Sequence, residues 1–247
     1  TGCEVVVQVL RALGEQHSAL PDSTDFYKFW LSAERAKNGE SPYWMVPPRT
    51  LPKDPCYPRN QPNLAQVKGS VADALLLAGD DPCLGPNLSP PIVLALTRPL
   101  GSLTFAQAWW TWLALSLTCA VLGMSLLMLE FNQSMRPRWL YPLMGCTVLL
   151  IYYPTIANFS LGQVGTLLLP PLVLAWRAMR RSEHAQAGLW IGLLVAIKPF
   201  FAPLWLALPL LRQWRIFAMS AVVLLALTLT AWVIWGTEVY RHYALVA

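Results

Sequence analysis

The chain has 247 residues, 55% of them hydrophobic and 13% charged, with 12 tryptophans and a mean hydropathy of +0.44. A soluble domain carries about twice that charge, and disorder, a collagen repeat, a coiled coil or a small disulfide scaffold each requires a different bias. What remains is an all-α, polytopic integral membrane protein.

The formal charge of +5 changes meaning when it is split by position. Residues 1–99 hold nine Lys/Arg against ten Asp/Glu, and residues 100–247 hold nine against three. The excess sits between apolar runs, at Arg136 and Arg138, at Arg177, Arg180 and Arg181, and at Arg212 and Arg215. That is how cytoplasmic loops look under the positive-inside rule. The basic charge therefore reports topology, and no nucleic-acid partner is expected.

In chain order, residues 1–20 are too poor in apolar side chains to span a bilayer, and Val5–Leu10 reads as the tail of an incomplete first transmembrane helix. No signal-peptide pattern is present. Residues 21–102 contain most of the prolines and acids and no stretch of spanning length, so they read as an extracytoplasmic loop region with interfacial helices. Within it, Asp22, Ser23 and Thr24 are N-cap types, and Asp25 falls in the first turn of the helix that follows, where the dipole favours a carboxylate. Two readings stand: simple capping, or an acid facing an outer cavity as general base toward a hydroxyl. Asp80-Asp81 reads first as a turn and second as a divalent-cation ligand pair.

Five cysteines, at positions 3, 56, 83, 119 and 146, show no Cys-x-x-Cys and no nearby histidine, so no zinc site is expected. Cys56 and Cys83 either pair or remain thiols, and Cys119 and Cys146 belong to span packing.

Residues 103–236 form the transmembrane bundle, because roughly 20 helical residues cross the ~30 Å hydrocarbon core. Spans are expected near 104–130, 139–157, 162–178 and 214–236. One helix through 185–212 would place Arg180/Arg181 and Arg212/Arg215 on opposite sides of the membrane. Half-helices at 186–198 and 200–212, meeting at Lys198-Pro199, keep both clusters cytoplasmic; a single kinked span is the alternative. Residues 237–247 read as the start of an outer loop.

Lys198 then lies in the membrane or at its outer rim, either snorkelling or contacting an anion such as a lipid phosphate. Arg98, beside Pro99, invites the same two readings. Asn158 and Gln163 flank Gly162 at the outer end of a span, as helix glue or as hydrogen-bonding groups for a sugar. No phosphate loop, dinucleotide fingerprint, Ser-His-Asp elbow or His-Glu-x-x-His helix is present.

Four stretches together resemble glycosyltransferase family 87. They are Asp25-Phe26-Tyr27 through Gly39 to Pro42-Tyr43; Asn87-Leu88-Ser89-Pro90-Pro91 with Arg98-Pro99-Leu100; Asn158 to Gly162-Gln163; and Gly188 to Lys198-Pro199, closed by Arg212-Gln213-Trp214-Arg215. The likeness covers roughly residues 22–236. It implies the C-type glycosyltransferase fold, a polyprenyl-phosphate sugar donor, and Asp25 in the place of the family's catalytic aspartate, ahead of Asp22. The incomplete first span, the long stretch 44–85 and the lack of later spans depart from the family pattern, so a partial chain is expected.

The resulting expectation is an inverting transfer of a hexose, with mannose foremost, to a glycolipid or glycan at the outer face of a plasma (inner) membrane. Asp25 is the general base, Lys198 with Arg98 holds the phosphate, and Gln163, Asn158 and Tyr43 are substrate contacts. No metal and no cofactor are expected. The rivals are a transporter or flippase and a non-catalytic membrane subunit. Convergence of Asp25, Gln163 and Lys198 on one cavity is the observation that bears most on the choice.

Overall fold

A computed structural model describes residues 25–39, 42–43, 89–131 and 140–246. The expectations concerning residues 1–20, Asp22, Cys56, Cys83, Asp80 and Asp81 lie outside the described residues. Among the described residues every regular element is a helix and no strand occurs, so the all-α expectation is borne out.

Helix α1, Asp25–Lys37, is amphipathic: Phe26, Phe29, Ala33 and Ala36 recur at helical spacing and are buried. Helix α2, Pro91–Thr97, opens with a proline whose missing N–H is harmless in the first turn, and it buries Ile92, Val93 and Leu94. The chain then tightens into a 3-10 turn, Arg98–Ser102, which runs beneath α1. A Cβ at Gly101 would lie 2.4 Å from the carbonyl carbon of Ala33, so only glycine lets the two backbones approach this closely.

Helix α3, Phe105–Phe131, has 27 residues and reaches about 40 Å. A capping box starts it: the Thr104 amide donates to Gln107 Oε1 at 3.1 Å, and the Gln107 amide donates to Thr104 Oγ1 at 3.4 Å. The rings at its N-terminal end receive α1. Phe26 sits 5.4 Å from both Trp109 and Trp112 and 5.9 Å from Phe105.

The single helix expected over 139–157 is two, α4 (Leu140–Ile151) and α5 (Tyr153–Leu161), bent by 68°. Pro154 is the cause, because it has no N–H to continue the ladder and its ring clashes with the preceding turn. The helix expected over 162–178 also differs. Gly162 turns the chain in the left-handed region, a 3-10 turn (Thr166–Leu168) follows, and α6 runs Leu169–Arg180 with its prolines in the first turn.

Segment 185–212 divides at Lys198-Pro199 into α7 (His184–Ile197) and α8 (Ala202–Leu210), joined by a 3-10 turn, Pro199–Phe201. Helix α9 is Trp214–Val246. Gly188 lies against Met219, and Gly192 against Ser220 and Val223, so α7 and α9 run in the same direction. Small residues permit that close approach. Trp205 donates to Ser220 Oγ at 2.8 Å and stacks on Phe217 at 4.8 Å. Since α8 passes directly into α9 through the Leu211–Gln213 turn, these contacts make α8 antiparallel to α9 and thus to α7. The chain rises in α7, returns in α8 and rises again in α9.

At Gly236 (φ 75°, ψ −178°) α9 reverses, and the Tyr240 hydroxyl donates back to Thr228 O at 2.7 Å. The span expected to stop near 236 therefore continues as a folded-back segment to Val246. Helices α3 and α9 are long and apolar enough to cross a membrane, and α4 with α5 adds a third crossing if counted as one. Apolar side chains such as Val148, Val222 and Val233 are more than half exposed, as lipid-facing positions are. At one end of the bundle Glu130 forms ion pairs with Arg177 and Arg181, each at 3.5 Å. The opposite end holds α1, α2 and the Lys198 turn.

Candidate functional site

Asp25 opens α1, and burial of its neighbour Phe26 among the α3 rings fixes where its carboxylate lies. Its Oδ2 accepts a hydrogen bond from Gln163 Nε2 at 2.9 Å. Its Oδ1 faces the Lys28 ammonium, one turn along the helix, at 3.5 Å. Gln163 follows Gly162, whose φ of 65° closes α5 and brings the Gln163 amide back to Asn158 O at 3.0 Å. A Cβ at Gly162 would lie 2.3 Å from Phe26 Cβ. One glycine thus supplies both the left-handed turn and the room for α1.

Asn158 orients Gln163. Asn158 Nδ2 donates to Gln163 Oε1 at 3.3 Å, while Asn158 Oδ1 accepts from the Thr166 amide at 3.2 Å and from its hydroxyl at 3.3 Å. Because the Asn158 oxygen is committed to Thr166, its NH2 group must face Gln163, and the Gln163 NH2 group must then face Asp25. This relay leaves Asp25 an ionisable acceptor in a set orientation.

Lys198 reaches the same place from α7. Pro199 disfavours helical geometry in the residue before it. Lys198 is accordingly extended (φ −135°, ψ 100°), capping α7 with its amide on Leu194 O. Asp25, Lys28, Gln163 and Lys198 line one cavity of about 250 Å³, walled by Phe29, Val164 and Ile197 and by Ser89 and Pro90. Among the described residues the titratable groups lining it are one carboxylate and two amines. Among the described residues no three His, Cys, Asp or Glu side chains group as metal ligands do.

Three further sequence candidates sit elsewhere. Asn158 is behind Gln163, outside the cavity lining. Tyr43 is buried, stacks near Tyr243, and donates its hydroxyl to Ser89 O, so it braces a cavity wall. Burial and the neighbouring Tyr243 push its hydroxyl above the usual tyrosine range, which keeps it a neutral donor. Arg98 lines a separate hollow with Lys37 and Ser102, its guanidinium 5.4 Å from the Trp235 ring. Sequence reasoning missed Lys28. Its signal was there, since a residue three after Asp25 shares its helix face.

The fold defines an all-α membrane protein with one carboxylate and two amines meeting in a cavity at one end of the bundle. The chain belongs to glycosyltransferase family 87, whose family model matches residues 87–246. It is a membrane glycosyltransferase, a class that acts on a sugar donor and a glycan or lipid acceptor. No curated protein matches it, and no solved structure matches it. Arg98, Asn158, Gln163 and Lys198 fall inside the matched region, while Asp25 and Lys28 precede it.

Proposed function

We propose that the protein transfers a hexose, with mannose the first sugar to test, from a polyprenyl-phosphate donor to a glycolipid or glycan. The reaction takes place at the extracytoplasmic face and inverts the anomeric centre. The observation that carries this reading is the shared cavity of Asp25, Gln163 and Lys198. Two features support a lipid donor. An ammonium faces the cavity from a break between apolar helices, and an apolar cavity of about 330 Å³ shares the Val164 and Ile197 wall.

In this mechanism the acceptor hydroxyl gives its proton to Asp25 as its oxygen bonds to the anomeric carbon. The bond from that carbon to the phosphate oxygen breaks, with the electron pair leaving on phosphate. The monoanionic phosphodiester becomes a monoester carrying more charge. Lys198 stabilises that gain, which is largest in the transition state and so accelerates the step. Gln163 aims the carboxylate, Asn158 sets Gln163, and Tyr43 holds the Ser89 wall. A cytoplasmic location for the arginine-rich end follows the positive-inside rule and leaves the cavity outside.

The test is transfer of labelled sugar by the reconstituted full-length protein. Asp25→Asn keeps the shape and removes the base, so turnover is expected to fall about 10²–10⁴-fold. Transfer at the wild-type rate in that variant removes Asp25 from the mechanism.

A further inference from the structure

The reading above uses one cation, yet among the described residues two line the cavity. Lys28 and Asp25 share a face of α1, and Lys28 lines the same cavity as Lys198. Its side chain is 22% exposed, less than the 40% of Asp25. The ammonium is 3.5 Å from the carboxylate, longer than the 2.7–2.9 Å of a tight charge-assisted bond. It rides on a flexible four-carbon stem and carries three N–H donors.

We infer that Lys28 is a second phosphate contact, which shifts from Asp25 to the departing phosphate as the reaction proceeds. This rests on the proposed phosphate-leaving mechanism and names a further catalytic residue for it. The charge inventory is the reason. Among the described residues, the cavity before transfer holds the carboxylate and the phosphodiester, each with one negative charge, and two ammonium groups. As the acceptor proton moves to Asp25, the carboxylate becomes neutral. As the anomeric carbon–oxygen bond breaks, its electron pair leaves the phosphate with two negative charges. The total is unchanged, but one negative charge has moved across the cavity. Lys198, fixed by its proline turn, stays at the phosphate throughout. Lys28, one helical turn from Asp25, is the cation positioned to follow the charge, and its contact with phosphate grows toward the transition state.

The experiment compares wild type, Lys28→Gln and Lys28→Arg in full-length protein reconstituted in nanodiscs. It measures turnover, donor and acceptor KM, and inhibition by the bare polyprenyl phosphate, the dianionic product. In Lys28→Gln, turnover at saturating donor is expected to drop about 10²-fold. The inhibition constant for polyprenyl phosphate should rise about tenfold and acceptor KM should stay within twofold. Lys28→Arg should restore most of both losses. If Lys28→Gln loses turnover but binds polyprenyl phosphate as wild type does, Lys28 acts only through Asp25 and the inference is overturned. Wild-type turnover in Lys28→Gln overturns it as well. An active Asp25→Asn variant instead defeats the underlying mechanism, and this inference with it. Unchanged thermal melting of both Lys28 variants separates these outcomes from misfolding.

Discussion

Gly162→Ala couples the turn after α5 to catalysis and can be worked through in numbers. At φ 65° and ψ 35° an alanine pays roughly 1–2 kcal/mol for the left-handed conformation. Its Cβ would also stand 2.3 Å from Phe26 Cβ and 3.0 Å from the Trp109 ring, both in the packed core. Overpacking of that kind costs roughly 1–3 kcal/mol, so a total loss of about 2–5 kcal/mol is expected. To reach even the tight end of ordinary contact, 3.4 Å, α1 and the turn must part by about 1 Å. The 2.9 Å bond from Gln163 to Asp25 spans that same gap, and such a shift carries it beyond hydrogen-bonding range. A misplacement of about 1 Å costs on the order of 10²-fold in rate. Gly39→Ala is the control, because Gly39 also has a positive φ, 79°, but among the described residues nothing lies within 4 Å of its Cβ position. It should lose only roughly 1–2 kcal/mol and keep its turnover. The assays are thermal unfolding in detergent and transfer of labelled sugar at saturating substrates. Equal turnover in the two variants would falsify the claim that Gly162 sets the Asp25–Gln163 geometry.

Other expectations concern the relay, the break in the hairpin and the far end of the bundle. Gln163→Ala and Asn158→Leu should each lower turnover about tenfold or more, and the double variant should lose little beyond the worse single, because residues in one network couple; additive losses measured in a double-mutant cycle would contradict the relay. Pro199→Ala frees Lys198 to take helical geometry, so donor KM should rise several-fold while acceptor KM holds, and kinetics with each substrate varied in turn decide it. Glu130→Gln removes the charge between Arg177 and Arg181. The arginines are about two-fifths exposed, so the loss should be about 1 kcal/mol, seen as a lower melting temperature with turnover unchanged.

Part of the site was legible because its signals are local. Asp25 is marked by its place at a helix start, and Lys198 by the proline after it and by the cost of an amine among apolar helices. Lys28 was equally local but looked like an ordinary member of a helical surface pair. Arg98 shows the opposite failure. A lone cation at the mouth of a span resembles Lys198 in sequence, yet packing lays it over Trp235 in a different hollow. Tyr43 was legible as a residue of the site region, but its bond to Ser89 O makes it a brace, a distinction that depends on a partner 46 positions further along the chain.

The amino-acid sequence by itself determined the solvent this protein lives in, the helical class, the placement of α3, the arginine-rich end and the break at Pro199. These follow from composition and from rules that act within a turn or two of backbone. The tertiary structure alone decided that Asp25 meets Gln163, 138 residues away, and that Lys28 and Lys198 share their cavity while Arg98 does not. Apolar helices are nearly interchangeable as patterns. Which faces meet is set by where glycines let backbones approach and where bulky rings fill the space between them, and those terms exist only once the chain is packed.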